Sequence, residues 1–104
     1  MYKIKLQSEY EDLDKYKSEI EDIIYYKKGT TIKHNPYGPA IINKGLYEAY
    51  CINGKYHRLD GPAKIWYKSD VQYCINGEDL TKEQFEKHPE RLKFIGKEHL
   101  ICLK

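Results

Sequence analysis

The sequence lacks any long hydrophobic segment. No stretch of its 104 residues approaches the about 20 consecutive apolar residues that a membrane-spanning helix needs. Residues 1–6 contain no apolar run of the kind found in secretory signal peptides. The sequence therefore predicts a cytoplasmic protein with no membrane partner.

Cysteine and histidine are few and scattered. The three cysteines form no Cys-x-x-Cys pair, and the four histidines do not fall at the spacing of zinc ligands. We therefore expect reduced thiols, no metal and no cofactor. Cys51 and Cys74 are predicted to be small buried thiols rather than a redox pair, because free cysteine behaves as a small apolar residue.

Neither sign of charge dominates the chain. Its 18 basic and 16 acidic residues leave a net charge of +2, so the overall charge does not favour nucleic acid as a partner. Residues 25–77 nevertheless hold a local excess of basic residues among several tyrosines, and such residues can contact phosphates and stack on bases. Nucleic-acid binding is therefore kept as a disfavoured alternative.

The sequence does contain an internal repeat. A shift of 23 residues superposes a histidine, a Gly-Pro-Ala segment and a Tyr-Cys-Ile-Asn-Gly segment on second copies of themselves. A period of this length is typical of stacked repeats in which each unit is one supersecondary element. The residues assigned to this repeat scaffold are His34, Gly38, Pro39, Asn53, Gly54, His57, Asp60, Gly61, Pro62, Asn76 and Gly77.

Each repeat unit predicts a hairpin of short antiparallel strands. Asn-Gly tolerates positive φ at both central positions of a turn, so the Asn53 and Asn76 turns are predicted to be type I′. The segment from Asp60 to Pro62 then interrupts the strand, because proline has no backbone N–H to donate. The units together predict a β-meander.

The flanking segments predict helices. Ser8 precedes Glu11 in capping-box form, and the apolar residues that follow recur at helical spacing. We expect an amphipathic helix over 9–24 that packs on the repeat sheet through Leu13, Tyr16, Ile20 and Ile23. A second capping pattern at Thr81 predicts a short helix over 82–88.

The predicted fold class is therefore α+β. An antiparallel β-meander of hairpin repeats of about 23 residues carries an N-terminal amphipathic helix and a short C-terminal capping helix. Short strands are also predicted at 1–6 and 99–103. We expect a single domain over 1–104, with a strand and helix in 1–24, the repeats in 25–77 and a cap in 78–104.

The repeat motif resembles a known family. "NGKYHRLDGPAKIWY" followed by "YCINGEDLTKEQF" is similar to the MORN-like repeat proteins of large tailed phages and giant DNA viruses, over about residues 25–86. The resemblance implies a viral accessory protein made of β-hairpins. The first copy departs from the family pattern, because Asn35-Pro36-Tyr37 stands where the family has Arg-x-Asp.

The repeat also separates scaffold residues from candidate binding residues. Since His34 and His57 recur at the repeat period, we expect them to hydrogen-bond backbone at the repeat corner, and no residue is assigned a catalytic role. Ile65 matches Ile42, and both are predicted to point inward. The adjacent Trp66 side chain would then point outward, because alternate residues of a strand face opposite sides. The residues predicted to bind a partner or ligand are Tyr56, Arg58, Trp66 and Tyr67, whose types dominate binding hot spots.

These observations favour a non-catalytic interaction module over an enzyme. The leading hypothesis is a virus-encoded protein that binds a host protein and inhibits antiviral defence. The alternative from another class is a protein that sequesters a small nucleotide signal, with basic and aromatic groups holding phosphate and base. The sequence leaves a homodimer open.

Overall fold

A single antiparallel sheet forms most of the molecule. The computed structural model describes residues 3–67 and 70–102, of which 97–102 are described as backbone only. Eight strands follow the order β1-β2-β3-β4-β5-β8-β9-β10, and β6 and β7 form a separate two-stranded hairpin. The strands are β1 (Lys3–Leu6), β2 (Leu13–Ser18), β3 (Ile23–Lys27), β4 (Ile41–Asn43), β5 (Tyr47–Ala49), β6 (Cys51–Ile52), β7 (Lys55–Tyr56), β8 (Lys64–Trp66), β9 (Val71–Ile75) and β10 (Glu78–Leu80).

The N-terminal amphipathic helix predicted over 9–24 is wrong. The segment instead forms β2 and β3, which pair antiparallel around a turn where Glu21 adopts φ 68°. The Lys-Tyr-Lys alternation in β2 and the β-branched and aromatic run in β3 are compatible with strands. Pairing of Ile23 and Ile24 with β4 favours the strands over the helix. Ser8 accepts a hydrogen bond from the backbone N–H of Tyr10 and so stabilises a turn rather than a helix start.

The apolar residues expected on that helix are dispersed. Leu13 is buried, Tyr16 lies edge-on to Tyr26, and Ile20 is 66% exposed at the β2–β3 turn. Because alternate residues of a strand point to opposite faces, these side chains do not form one stripe. The predicted packing of a helix on the sheet is therefore replaced by an extension of the sheet itself, which ends at β1. The strand predicted at 1–6 is confirmed over Lys3–Leu6, and residues 1 and 2 lie outside the described part.

The Asn-Gly turns have the predicted geometry. Asn53 and Asn76 both adopt φ 53°, and the glycines after them adopt φ 81° and 84°. Positive φ at both central positions defines the type I′ turn, whose twist matches that of the flanking strands. Antiparallel hairpin pairing therefore follows directly from the dipeptides.

The main core cluster lies on one face of the sheet, and its buried members are Ile24, Tyr26, Ala40, Ile41, Ala49 and Cys51. Leu13 and Tyr25 are buried on the other face. The prediction that Ile42 and Ile65 point into the core is wrong. Both residues pair with Glu48, and this cross-strand row lies on the face opposite the core cluster. Trp66 instead pairs across strands with Tyr47, which packs against the core. Ala49 of β5 is fully buried, so the residues of β5 that share its face are the ones directed at the core cluster.

Two helices close the C-terminal end. Helix α1 (Lys82–Glu86) begins with the predicted capping box, in which Thr81 and Gln84 bond to each other's backbone N–H groups. Its Phe85 is buried against Tyr73, with ring centroids 4.6 Å apart. The strand predicted at 99–103 is wrong over its described residues, since α2 (Pro89–Cys102) is a helix that begins at the proline. Proline suits the first helical position because the N–H there has no intrahelical partner.

Candidate interaction surfaces of the repeat sheet

Each repeat histidine connects one repeat to the next. The backbone N–H of Asn53 donates to Nδ1 of His34 at 2.9 Å. The backbone N–H of Asn76 donates to Nδ1 of His57 at the same distance. Both bonds join a histidine at a repeat corner to the Asn-Gly turn of the following hairpin. A ring nitrogen that accepts a hydrogen bond carries no proton, so in each ring the proton resides on Nε2.

A backbone bond lies beside each histidine bond. Gly54 donates to the carbonyl of Lys33 at 2.8 Å, and Gly77 donates to the carbonyl of Tyr56 at 2.8 Å. Each turn is therefore held by two consecutive N–H groups that bond to the preceding repeat. We call this pair of bonds a repeat joint.

Arg58 and Asn35 perform the same task at equivalent positions. Asn35 Nδ2 donates to the carbonyl of Pro39 at 2.9 Å, and Arg58 Nη1 donates to the carbonyl of Pro62 at 3.2 Å. Arg58 Nε also bonds to Asp60 Oδ1 at 2.8 Å. The residue after each histidine thus closes its own corner loop, although the two side chains differ chemically.

Other contacts hold the Arg58 guanidinium in place. Its Cζ lies 4.0 Å from the centroid of the Tyr50 ring, which is a close cation–π contact. Its side chain is only 22% exposed. Gly61 lies so close that a Cβ there would be 3.0 Å from Cζ of Arg58. Arg58 is therefore largely committed to internal contacts.

Three aromatic rings surround the ammonium group of Lys64. Its Nζ lies 4.7 Å from the ring of Trp66, 4.8 Å from that of Tyr56 and 5.8 Å from that of Tyr47. Tyr47 also donates its hydroxyl to Asp22 Oδ2 at 3.1 Å, and Asp22 is 4% exposed. Burial, followed by the nearby Asp22 carboxylate, raises the pKa of Tyr47 to about 12. The hydroxyl is therefore a proton donor at neutral pH.

The turns of three hairpins carry exposed apolar side chains at one end of the sheet. Ile20, Leu46 and Tyr67 are 66%, 54% and 65% exposed, and they belong to the β2–β3, β4–β5 and β8–β9 turns. Because neighbouring strands lie about 4.8 Å apart, successive turns repeat roughly every 10 Å along this end. The backbone N–H of Tyr67 donates to the carbonyl of Leu46 at 2.7 Å, which fixes those two turns to each other.

An apolar groove of about 240 Å³ adjoins these turns. Its apolar lining includes Ile42, Leu46, Ile65, Trp66 and Tyr67. We call this groove, together with the exposed side chains of Leu46 and Tyr67, the tip surface.

A second cleft lies between the two repeat corners. It encloses about 370 Å³ and includes Tyr37, Tyr50, His57, Arg58, Asp60 and Phe94 in its lining. Its walls therefore combine aromatic rings with one cation and one carboxylate. We call it the corner cleft.

The four residues predicted to bind a partner are not gathered in one place. Tyr56 and Trp66 meet around Lys64, Trp66 and Tyr67 both belong to the tip surface, and Arg58 lies at the corner cleft. Leu46 was absent from the predicted binding set although it is half exposed beside Tyr67. The sequence signal for it was an apolar residue directly after the Lys44-Gly45 turn.

The two buried cysteines, Cys51 and Cys74, have raised thiol pKa values. Burial raises the pKa of Cys51 to about 11 and, together with a hydrogen bond to Asp79, raises that of Cys74 to about 12. The Cys74 thiol lies 3.1 Å from Asp79 Oδ1. Since the thiolate is the nucleophile and the metal ligand, neither sulfur is set up for reaction at neutral pH.

The part of the chain that the structure describes contains neither a candidate metal-binding cluster nor a helix able to cross a membrane. Residues 3–67 and 70–102 bring together no group of three or more His, Cys, Asp or Glu side chains that could hold a metal ion. Within the same residues, no helix has both the length and the apolar character needed to cross a membrane.

Comparison of the chain with protein-family models, with curated proteins and with solved structures gave no match. The resemblance to MORN-like repeat proteins therefore rests on the repeat motif alone.

Proposed function

We propose that the chain is a non-catalytic interaction module that binds another protein through the tip surface. The observation that carries this proposal is the pair of exposed side chains, Leu46 and Tyr67, beside an apolar groove. Contiguous exposed apolar area on a small domain commonly marks an interaction site. Tyrosine and tryptophan, which border this groove, are over-represented among the residues that dominate binding energy.

The scaffold supports such a surface. The hydrogen bond between the Tyr67 and Leu46 backbones keeps the two turns in register, and Trp66 is held at the groove beside the Lys64 ammonium. A surface ordered before binding loses less conformational entropy when a partner docks. In line with the family resemblance, we further propose that the protein is viral, and that the partner is a host protein acting in antiviral defence.

The test uses two leucines of matched exposure. Leu46 is 54% exposed at the tip surface, and Leu92 is 53% exposed on α2. The immobilised wild-type protein should retain a defined protein from host lysate, and Leu46→Ser should reduce its retention at least tenfold while Leu92→Ser retains it. Equal retention by both variants, or capture of nothing by the wild type, would contradict the proposal.

A second candidate function is small-ligand binding in the corner cleft. Its volume of about 370 Å³ lies within the range typical of ligand pockets. His57 contributes a cleft wall and carries its proton on Nε2, because Nδ1 accepts from Asn76. That N–H suits a phosphate oxygen, and the positive charge of Arg58 lies nearby although its Nε and Nη1 bond to Asp60 and Pro62. The exposed Tyr37 ring suits a base.

Thermal shift measurements with cyclic nucleotides and with ADP-ribose test this second candidate. A ligand that binds only the folded protein raises its melting temperature. A rise that Tyr37→Ala abolishes and Leu92→Ser leaves intact would support the corner cleft. An unchanged melting temperature at millimolar nucleotide would refute it.

A further inference from the structure

Both repeat joints depend on a neutral histidine. In each joint the backbone N–H of an asparagine can only donate, and Nδ1 of the ring accepts it at 2.9 Å. Donor and acceptor are 19 residues apart in both cases. Because the same bond forms twice at the repeat period, it belongs to the repeat and is not an accident of one loop.

Protonation of the ring removes the acceptor. An imidazolium carries a proton on both nitrogens, so Nδ1–H would face the N–H of Asn53 or Asn76. Two donors that face each other cannot share a hydrogen bond, and either the ring or the turn must move. The bond made by the adjacent glycine N–H would then hold that turn alone.

We propose that the repeat joints are an acid-sensitive device, in which protonation of His34 and His57 releases the Asn-Gly turns of the following hairpins. The released turns loosen the contact between successive repeats while the strands inside each hairpin remain paired. This inference is independent of what the tip surface binds.

The surroundings of each imidazole ring determine the pH at which the turn is released. Burial lowers the pKa of His34, the charge of Lys27 lowers it further, and the Asp12 carboxylate opposes both. Burial also lowers the pKa of His57, where the Glu90 carboxylate raises it and His88 lowers it. In both rings burial is the largest influence, so the neutral form persists below the ordinary value of about 6.5.

The direction of the pH effect follows from linkage. The unfolded chain binds protons at these histidines at higher pH than the folded chain does, so acid favours the unfolded state. The stabilisation from the joints is therefore fully present above about pH 6.5 and is lost as the pH falls through the lowered folded values.

Amide NMR spectroscopy at pH 7.5 and at pH 5.0 tests the proposal. The hydrogen-exchange protection factors of the Asn53 and Asn76 amides should fall at least tenfold at pH 5.0, in step with titration of the two imidazoles. The Tyr25 amide bonds to the carbonyl of Ala40, outside the two joints, and its protection should stay constant. Unchanged protection of Asn53 and Asn76 while the imidazoles titrate would overturn the proposal.

Substitution separates the histidine effect from general acid destabilisation. Leu80 occupies the position of His34 and His57 in the incomplete third copy, so His34→Leu with His57→Leu is a natural replacement. This double variant should lose the acid response of the two amides. His88→Leu should keep it, with the His57 response moved to a higher pH because His88 no longer lowers the pKa of His57. If the double variant does not fold, the ¹⁵N shifts of the wild-type imidazoles decide. A proton on Nδ1 at pH 7.5 would overturn the proposal, and a proton on Nε2 alone would support it.

Discussion

Two equivalent glycines should respond in opposite ways to the same substitution. Gly38 and Gly61 occupy the same position in successive repeat corners. A Cβ at Gly38 would meet nothing within 4 Å among the described residues, whereas at Gly61 it would lie 3.0 Å from Cζ of Arg58. Neither position requires positive φ, so only the neighbouring side chain distinguishes them.

The magnitudes follow from the contacts of Arg58. At an unstrained site Gly→Ala stabilises a protein by about 0.4–1 kcal/mol, because the unfolded chain loses freedom. At Gly61 the new methyl group pushes against the guanidinium, which the Pro62 carbonyl and the Tyr50 ring hold in place. The push weakens both contacts. A net hydrogen bond contributes about 1 kcal/mol and an exposed cation–π contact about 0.5–1 kcal/mol. We therefore expect Gly61→Ala to be destabilising by roughly 0.5–1.5 kcal/mol.

Urea unfolding of the two variants measures the difference, with the slope m confirming that the unfolded state is unchanged. A double-mutant cycle then isolates the cause. In an Arg58→Ala background the penalty at Gly61 should disappear, and Gly61→Ala should behave like Gly38→Ala. Equal stabilities of the two single variants, or a penalty that persists without Arg58, would refute the reasoning.

Two further predictions concern the core. Phe85→Ala should destabilise the protein by about 3–5 kcal/mol, because Phe85 is 3% exposed and packs on Tyr73. A loss of less than about 1 kcal/mol in urea unfolding would show that α1 does not stabilise the sheet. Cys51 and Cys74 should react slowly with an aromatic disulfide at pH 8, because burial raises the pKa of both thiols. In a Cys102→Ser variant, we expect the reaction to be at least a hundredfold slower in the folded protein than in the urea-unfolded protein. Rapid labelling of the folded protein would contradict their burial.

The repeat region was predictable because its turns are decided locally. Between two strand-like segments Asn-Gly strongly favours a type I′ turn, so the hairpins at Asn53 and Asn76 follow from the dipeptides and their immediate flanks. The segment over 9–24 was not decided locally. Its apolar residues fit a helix and also a strand pair, and pairing with β4 through Ile23 and Ile24 favours the strands. That partner is distant in the sequence, and local periodicity carries no information about it.

The candidate sites were less predictable because they depend on cross-strand neighbours. Arg58 was interpreted as a binding residue since its counterpart, Asn35, is chemically different. The shared role of the two side chains consists of hydrogen bonds to equivalent proline carbonyls, which exist only in the folded corners. Tyr47 joins Trp66 through strand pairing, which no spacing within either strand reveals.

The same joints explain how the array of repeats ends. At its N-terminal side the turn N–H of Gly29 bonds to Oδ2 of Asp14 at 2.8 Å, so a side chain from β2 replaces the acceptor that a preceding repeat would supply. At its C-terminal side Leu80 stands where His34 and His57 supply Nδ1. A further Asn-Gly turn placed there would meet hydrocarbon, and its N–H would lose a partner. A turn there would make only one of the two bonds of a repeat joint, and the chain instead turns into α1.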